Sequence, residues 1–316
     1  MAAGKFRYRH TILQQGIDLA RQLDDKKKEA YALSVLGQVK AQLGKFAESH
    51  RIFDASLALA REMNDKRRIA GTLNNYANTH YFEGNYETAQ KLMEEGLAVV
   101  REIGDKRGTA LALNNLGNIF YLKSDFKTAR KYYEESLRLA RESDDKYTKS
   151  VVLSSLGITV FRQGQFKEAD IYYQESLRLN LEMGDKVGLS LLHCYLGLLA
   201  LAKDQPNAAR DSFIEGLTIA QQSKIKLFIV YNLIGMANIF LAESKPSHSV
   251  NLLAVASGIA ESFGFKIEPE LQEPYDVALV KAKEKLSEPD FQSAWNEGNK
   301  MTMEDAVRLA LNTPHA

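Results

Sequence analysis

Apolar and small residues recur along this chain with a period of 40 residues, and six rows of that length align without a gap. Within a row they are spaced i, i+3, i+4 and i+7, as in Leu113, Leu116, Gly117 and Phe120. This spacing places them on one face of an α-helix. A second helical pattern follows in the same row around Tyr133. Each row is therefore predicted to form two packed helices.

The ends of the rows predict where the helices begin. Five rows are preceded by Asp-Lys, and an aspartate at that place can cap the next helix. The sixth junction, Ile225-Lys226, lacks the aspartate. The Asp-Lys pairs stand at 25–26, 65–66, 105–106, 145–146 and 185–186. The predicted first helices are 27–43, 67–83, 107–123, 147–163, 187–203 and 226–243, and the second helices are 46–63, 86–103, 126–143, 166–183, 206–222 and 246–264.

The order of large and small residues is Leu-x-x-Leu-Gly-x-x-Phe/Tyr, followed by Gly-x-Phe/Tyr-x-x-Ala-x-x-x-Phe/Tyr. It resembles the tetratricopeptide repeat, whose usual unit has about 34 residues. The 40-residue rows are similar to the long-repeat subfamily of cell-polarity adaptors and bacterial regulators. The resemblance covers about residues 5–264 and implies an all-α fold, a right-handed α-solenoid of antiparallel helix pairs. Lys40 and His80 depart from the pattern where Phe120 stands in a later row, and His193 replaces Leu153.

The two ends of the chain differ from the six rows. Gly4, Phe6, Leu13 and Gly16 match the second half of a row, so a leading half-repeat helix is expected. That helix is either a natural cap or the start of a piece cut from a longer protein, and the second is favoured. Residues 265–316 leave the register and are expected to form a C-terminal helical cap on a solenoid of residues 1–264.

The last part of the chain carries a second, shorter resemblance. The segments 294–298, Ala-Trp-Asn-Glu-Gly, and 303–307, Met-Glu-Asp-Ala-Val, are similar to the C-terminal end of bacterial signal-transducing ATPases and LuxR-type activators. Those regulators carry a tetratricopeptide sensor arm at this end. The resemblance implies the sensor arm of such a regulator. Capping of the last repeat by Phe265, Phe291 and Trp295 is the favoured interpretation of these helices, and a regulator's tail is compatible with it.

Composition and charge exclude several functions. Lys+Arg (41) and Asp+Glu (40) nearly cancel, so no nucleic-acid partner is expected. Apolar runs fall far short of the roughly 20 residues that cross a membrane, and the start, MAAGKFRYRH, has no apolar signal-peptide core. No membrane partner and a cytoplasmic location are therefore expected. The single cysteine, Cys194, cannot form an internal disulfide.

Nothing in the sequence predicts catalysis, a cofactor or a metal site. The pairs Glu94-Glu95 and Glu134-Glu135 recur at one position of successive rows, which indicates a solvated helix face. His193 and Cys194 are adjacent, and adjacent helical side chains point about 100° apart. We therefore expect a protein that is not an enzyme.

The concave side of the first helices is the predicted binding surface. Amide side chains both donate and accept hydrogen bonds, and tyrosine adds contact area, so this side suits a peptide or a helix. The alternative is that the asparagines only stabilise helix packing. Two functions stay open: an interaction scaffold, or the sensing arm of a larger ATPase or transcription regulator. Self-association through the solenoid ends is also expected. The predicted groove residues are Asn74, Asn75, Asn78, Tyr81, Asn114, Asn115, Asn118, Tyr121, Ser154, Phe161 and Arg162.

Overall fold

The computed structural model describes residues 2–264 and 266–312, with side chains from Thr11 onward. Within those ranges the chain forms helices and no strand, which confirms the predicted all-α repeat solenoid. Phe265 and the side chain of Phe6 lie outside the described residues. The helices are α1 Ala2–Gln22, α2 Lys26–Gln42, α3 Phe46–Glu62, α4 Lys66–Glu83, α5 Tyr86–Glu102, α6 Lys106–Leu122, α7 Phe126–Glu142, α8 Lys146–Arg162, α9 Phe166–Met183, α10 Lys186–Ala202, α11 Pro206–Ser223, α12 Lys226–Ala242, α13 Pro246–Phe263, α14 Pro269–Lys285, α15 Glu288–Lys300 and α16 Met303–Asn312.

The chain divides into two compact units, residues 1–145 and residues 146–316. In each unit the two helices of a row pack as a pair, and the second helix of a row also packs on the first helix of the next. In the second unit, α14 packs on α12 and α13, while α15 and α16 both pack on α13. The division expected from the sequence, 1–264 and 265–316, stays a prediction.

Aspartate caps determine where the first helices begin. The side chains of Asp25, Asp65, Asp105 and Asp185 each accept a hydrogen bond from a backbone N–H in the first turn of the following helix. Since aspartate is the N-cap, the lysine after it is the first helical residue, and these helices begin one residue earlier than predicted. Ile225 offers no side-chain cap to α12, as its sequence indicated.

A ring-into-glycine contact holds the two helices of a row together. A Cβ atom placed on Gly37 would lie 2.9 Å from Cζ of Phe53, and one on Gly117 would overlap the ring of Tyr133. A buried serine adds a polar link in the same pair of helices, because Oγ of Ser136 donates to the carbonyl of Ala110 at 2.6 Å. The small residue in each row therefore allows the close helix approach that the sequence predicted.

The paired glutamates lie on the exposed side of the second helices. Glu95 bonds with Arg61 at 2.5 Å, and Glu135 with Arg101 at 2.8 Å. Each pair joins the second helices of successive rows. Exposed ion pairs of this kind contribute at most about 1 kcal/mol, so they add little to the stability of the repeats.

Candidate partner-binding surface

Asparagines link successive first helices in the first unit. Nδ2 of Asn75 donates to Oγ of Ser34 at 3.2 Å, and Nδ2 of Asn115 donates to Oδ1 of Asn74 at 2.8 Å. These amides therefore contribute to packing between repeats, which was the alternative reading of the sequence. Each bond uses one group of an amide that can both donate and accept.

Three more predicted residues lie beside these links. Asn78, Asn118 and Tyr81 are half-buried. Oδ1 of Asn118 accepts a hydrogen bond from the hydroxyl of Tyr133 at 2.7 Å. The ring of Tyr81 packs edge-on against Phe82, with the centroids 5.5 Å apart. Phe82 itself is 72% exposed, so it offers an apolar contact at the end of α4.

Two predicted groove residues are buried. Asn114 is 3% exposed and Tyr121 is 9% exposed, so the structure does not support them as partner contacts. Each follows directly after a residue of the core stripe, Leu113 or Phe120, and a helical step of about 100° leaves it at the edge of the packed face. The ring of Tyr121 packs against Phe126 instead, with the centroids 5.6 Å apart.

A concavity between α2 and α4 brings basic side chains to the amides. Its lining includes Arg67, Arg68, Tyr31 and Asn75. The guanidinium of Arg68 lies 5.4 Å from the ring centre of Tyr31. Lys27 lines the same concavity and stands one row before Arg67. The sequence analysis missed these residues, although the recurrence of a cation at this row position was the signal that could have found them.

The predicted groove residues of the second unit contact side chains or backbone of that unit. Oγ of Ser154 lies 2.9 Å from Oγ of Ser176, and the ring of Phe161 packs against Phe166. Arg162 donates to the carbonyl of Pro269 at 3.1 Å and lies 3.6 Å from Glu273. Arg162 therefore binds α14, a helix of its own chain.

Two further residues of the first helices also bind α14. The hydroxyl of Tyr195 donates to Oε1 of Glu270 at 3.1 Å, and Nδ2 of Asn238 donates to the carbonyl of Pro274 at 3.2 Å. With Arg162, one side chain from each of α8, α10 and α12 thus contacts this helix. The first helices of the second unit therefore hold a helical segment through polar side chains.

The same three repeat positions in the first unit carry amides. Subtracting three rows of 40 residues from Arg162, Tyr195 and Asn238 gives, in order, the equivalents in the first unit. All three can donate a hydrogen bond as their counterparts do. They are Gln42, Asn75 and Asn118.

Burial changes the ionisation of the residues where α14 begins. Desolvation, and after it the nearby charge of Glu270, raises the pKa of Glu268 to about 7. Glu270 is 5% exposed and receives the hydroxyl of Tyr195. Burial likewise raises the pKa of the Tyr173 hydroxyl, so that group stays protonated. The docking of α14 thus places a buried carboxyl group, that of Glu270, near a half-buried one, that of Glu268.

The tetratricopeptide repeat family model matches residues 68–142 and 125–182. The chain thus contains tetratricopeptide repeats over residues 68–182. A second family model, Anaphase-promoting complex subunit 5, matches residues 1–78 of this repeat protein. No curated protein matches the sequence.

Solved structures share the fold of this repeat protein at low identity. BtubC (BKLC) from P. vanneervenii has a TM-score of 0.61 at 20% identity, covering 70% of this chain and 92% of that chain. A STAND ATPase with a tetratricopeptide repeat sensor, from Pyrococcus horikoshii, has a TM-score of 0.60 at 17% identity, covering 87% and 44%. The Rap conjugation gene regulator of plasmid pLS20, in complex with the Phr* peptide, has a TM-score of 0.60 at 14% identity, covering 91% and 83%. At these identities the likeness shows the fold alone. In residues 2–264 and 266–312, no helix is both long and apolar enough to cross a membrane.

Proposed function

We propose that this protein is a non-catalytic interaction scaffold whose first unit binds a helix or peptide of a protein partner. The binding surface is the side of α2, α4 and α6 that carries Gln42, Asn75, Asn78 and Asn118. The proposal rests on how α14 is bound. In the second unit, the side chains at the repeat positions equivalent to this surface hold a helix. Tetratricopeptide solenoids act mainly through such extended surfaces.

The way α14 is held suggests the chemistry of the partner. Arg162 and Asn238 bind backbone carbonyls of α14, and Tyr195 binds a carboxylate. The first unit offers amides at these positions, with Arg67 and Arg68 lining the concavity beside Asn75. Cations favour acidic residues, so we propose a partner segment with at least one carboxylate near its helix start. The structure of the Rap regulator in complex with the Phr* peptide supports a peptide partner for a protein of this fold.

The experiment is a capture from lysate of the source organism with the full chain. The surface variant is Gln42→Ala/Asn75→Ala/Asn118→Ala, and the matched control is Glu94→Ala/Glu134→Ala on exposed faces of α5 and α7. Both variants are first checked for unchanged melting. We expect one protein to be captured by the wild type and the control and lost from the surface variant.

Two outcomes would oppose this function. A partner that the surface variant captures as well as the wild type must bind elsewhere. A partner that is lost from the control variant, Glu94→Ala/Glu134→Ala, would place the interaction on the second helices. Adding the sequence of α14 as a free peptide provides a further check, since it should compete with a partner that uses the same hydrogen-bonding pattern.

A second candidate function is the sensing arm of a larger ATPase or regulator. Its support is the STAND protein with a tetratricopeptide sensor, of which this chain would span 44%. The test is the reading frame of the complete gene. An ATPase domain encoded in frame before residue 1 would favour the arm, and a stop codon there would favour the scaffold.

A further inference from the structure

Two histidines and a glutamate converge where the start of α3 meets the end of α4. Nε2 of His50 lies 3.1 Å from Oε2 of Glu83, and Nδ1 of His80 lies 3.3 Å from the same oxygen. The two imidazole rings stack, with their centroids 4.3 Å apart. Three atoms that can coordinate a metal, one from each residue, lie within 4.8 Å of one another.

The local fold brings these residues together. His80 and Glu83 are three residues apart in the last turn of α4, and so project from one face. Gly84 follows Glu83 with φ 87°, the left-handed conformation that ends a helix, so Glu83 is the last residue of α4. His50 lies near the first turn of α3, the preceding helix. The sequence analysis found no metal site because His50 and Glu83 are 33 residues apart.

The other rows show which part of this cluster recurs along the chain and which part is specific to this site. A polar pair with the same 33-residue spacing recurs as Gln90 with Lys123 and as Asp170 with Lys203. These pairs join a second helix to the end of the next first helix and need no metal. The row of His80 differs because the position held by Phe120 in the following row carries a histidine. Only this row, among the described ones, therefore adds a second imidazole to the pair.

We propose that His50, His80 and Glu83 form a binding site for a divalent transition metal, with Zn²⁺ as the best fit. In tetrahedral Zn²⁺ sites the metal lies about 2.0–2.2 Å from nitrogen and oxygen ligands, which puts the ligand atoms roughly 3.3 Å apart. The distances of 3.1 and 3.3 Å from Glu83 to the two histidines match that spacing. A water molecule or a partner side chain would supply the fourth ligand.

The surroundings favour a cation. The site lies at the C-terminal end of α4, where the helix dipole is negative. His80 is 8% exposed and its Nδ1 makes no well-aligned hydrogen bond, although it faces the Glu83 carboxylate. Asp54 adds a second negative charge nearby.

The test measures Zn²⁺ binding to the full chain by calorimetry, after removal of any histidine tag and in a buffer that does not chelate metals. The decisive variants are His80→Phe, which restores the residue type of Phe120, and Glu83→Gln. The matched control is His193→Leu, which removes a histidine outside the cluster and restores the residue type of Leu153. Melting of each variant without metal verifies that it folds.

We expect the wild type and His193→Leu to bind one equivalent of Zn²⁺ and to melt at a higher temperature with the metal. His80→Phe and Glu83→Gln should each weaken binding at least tenfold, and Co²⁺ should give the visible absorption of a tetrahedral site only in the first two proteins. Absence of stoichiometric binding by the wild type would overturn the proposal. Undiminished binding by Glu83→Gln would also overturn it, even if His80→Phe failed to fold.

Discussion

The hydroxyl of Tyr195 on α10 donates a hydrogen bond of 3.1 Å to the carboxylate of Glu270 on α14, and both side chains are buried. The contact joins residues 75 positions apart and ties α14 to the face of the first helices on which the groove was predicted. A helix of the same chain thus occupies the predicted surface of the second unit. The equivalent positions of the first unit are the ones proposed to bind a partner.

Tyr195→Phe should loosen α14 without changing the repeats. The substitution removes a hydrogen-bond donor from a buried carboxylate, which costs about 1–3 kcal/mol. We expect faster amide hydrogen exchange in residues 269–285 and unchanged exchange in the first unit. Tyr147→Phe is the control, because Tyr147 is 49% exposed. Equal exchange in α14 of both variants would show that this hydrogen bond does not hold the helix.

The docking of α14 should weaken as the pH rises. The pKa of Glu268 is about 7 in the folded chain against an ordinary value of 4.5, so the folded state binds the proton more tightly. Its contribution to stability is therefore complete below about pH 4.5 and is lost as the pH rises to about 7, at a cost of at most roughly 3 kcal/mol. Glu268→Gln should remove this part of the pH dependence.

The measurement for Glu268 is the free energy of unfolding of the second unit across that pH range. Glu284→Gln serves as the control, because Glu284 is an exposed glutamate of α14. It should retain the wild-type pH profile. A Glu268→Gln profile that overlays the wild type would show that Glu268 ionises normally in the fold.

The repeat pattern was sufficient to predict most of the fold. Each row gives an independent reading of the same two helices, so a contact such as Tyr133 on Gly117 could be foreseen from spacing alone. The caps at Asp25 and Asp105 followed from residue type in the same way. Ile225 agrees with this rule, because the row that lacks the aspartate also lacks a side-chain cap.

The candidate site was predicted less well, because it depends on contacts that periodicity does not encode. The position of Arg162 was read correctly as part of a first helix, but its partner on α14 is 107 residues away. Asn114 and Asn74 share a row position, yet only Asn114 is fully buried, since burial depends on the neighbouring helices. The cluster of His50 with His80 was missed because it combines two features. One is the polar pair of His50 and Glu83, whose spacing recurs in other rows, and the other is His80, which departs from the repeat.

Two glycines of the first unit should respond in opposite ways to alanine. A Cβ at Gly117 would overlap the ring of Tyr133, so Gly117→Ala should lower the free energy of unfolding by about 1–3 kcal/mol. A Cβ at Gly71 meets nothing within 4 Å, so Gly71→Ala should raise it by about 0.5–1 kcal/mol through helix propensity. Denaturant unfolding measures both, and equal effects would contradict the ring-into-glycine packing.

The buried pair of Arg210 and Glu243 should depend on both partners being present. The guanidinium of Arg210 bonds the carboxylate of Glu243 and lies 5.9 Å from the ring centre of Phe240. Removing the arginine breaks one of the two ion pairs of a largely buried carboxylate, whose other partner is Lys245 at 2.9 Å, so Arg210→Ala should cost about 1–3 kcal/mol. Replacing both, as Arg210→Met/Glu243→Met, should cost much less because no charge is then left buried.

Denaturant unfolding of the two variants, with Arg61→Ala as the exposed reference, checks this expectation. Arg61 pairs with Glu95 on the outer face, and its loss should cost at most about 1 kcal/mol. If Arg210→Ala were no more destabilising than Arg61→Ala, the pair would not be held in a low-dielectric interior. If the double methionine variant were the least stable of the three, the charges themselves would be required, and the polar link between repeats would be more than a packing contact.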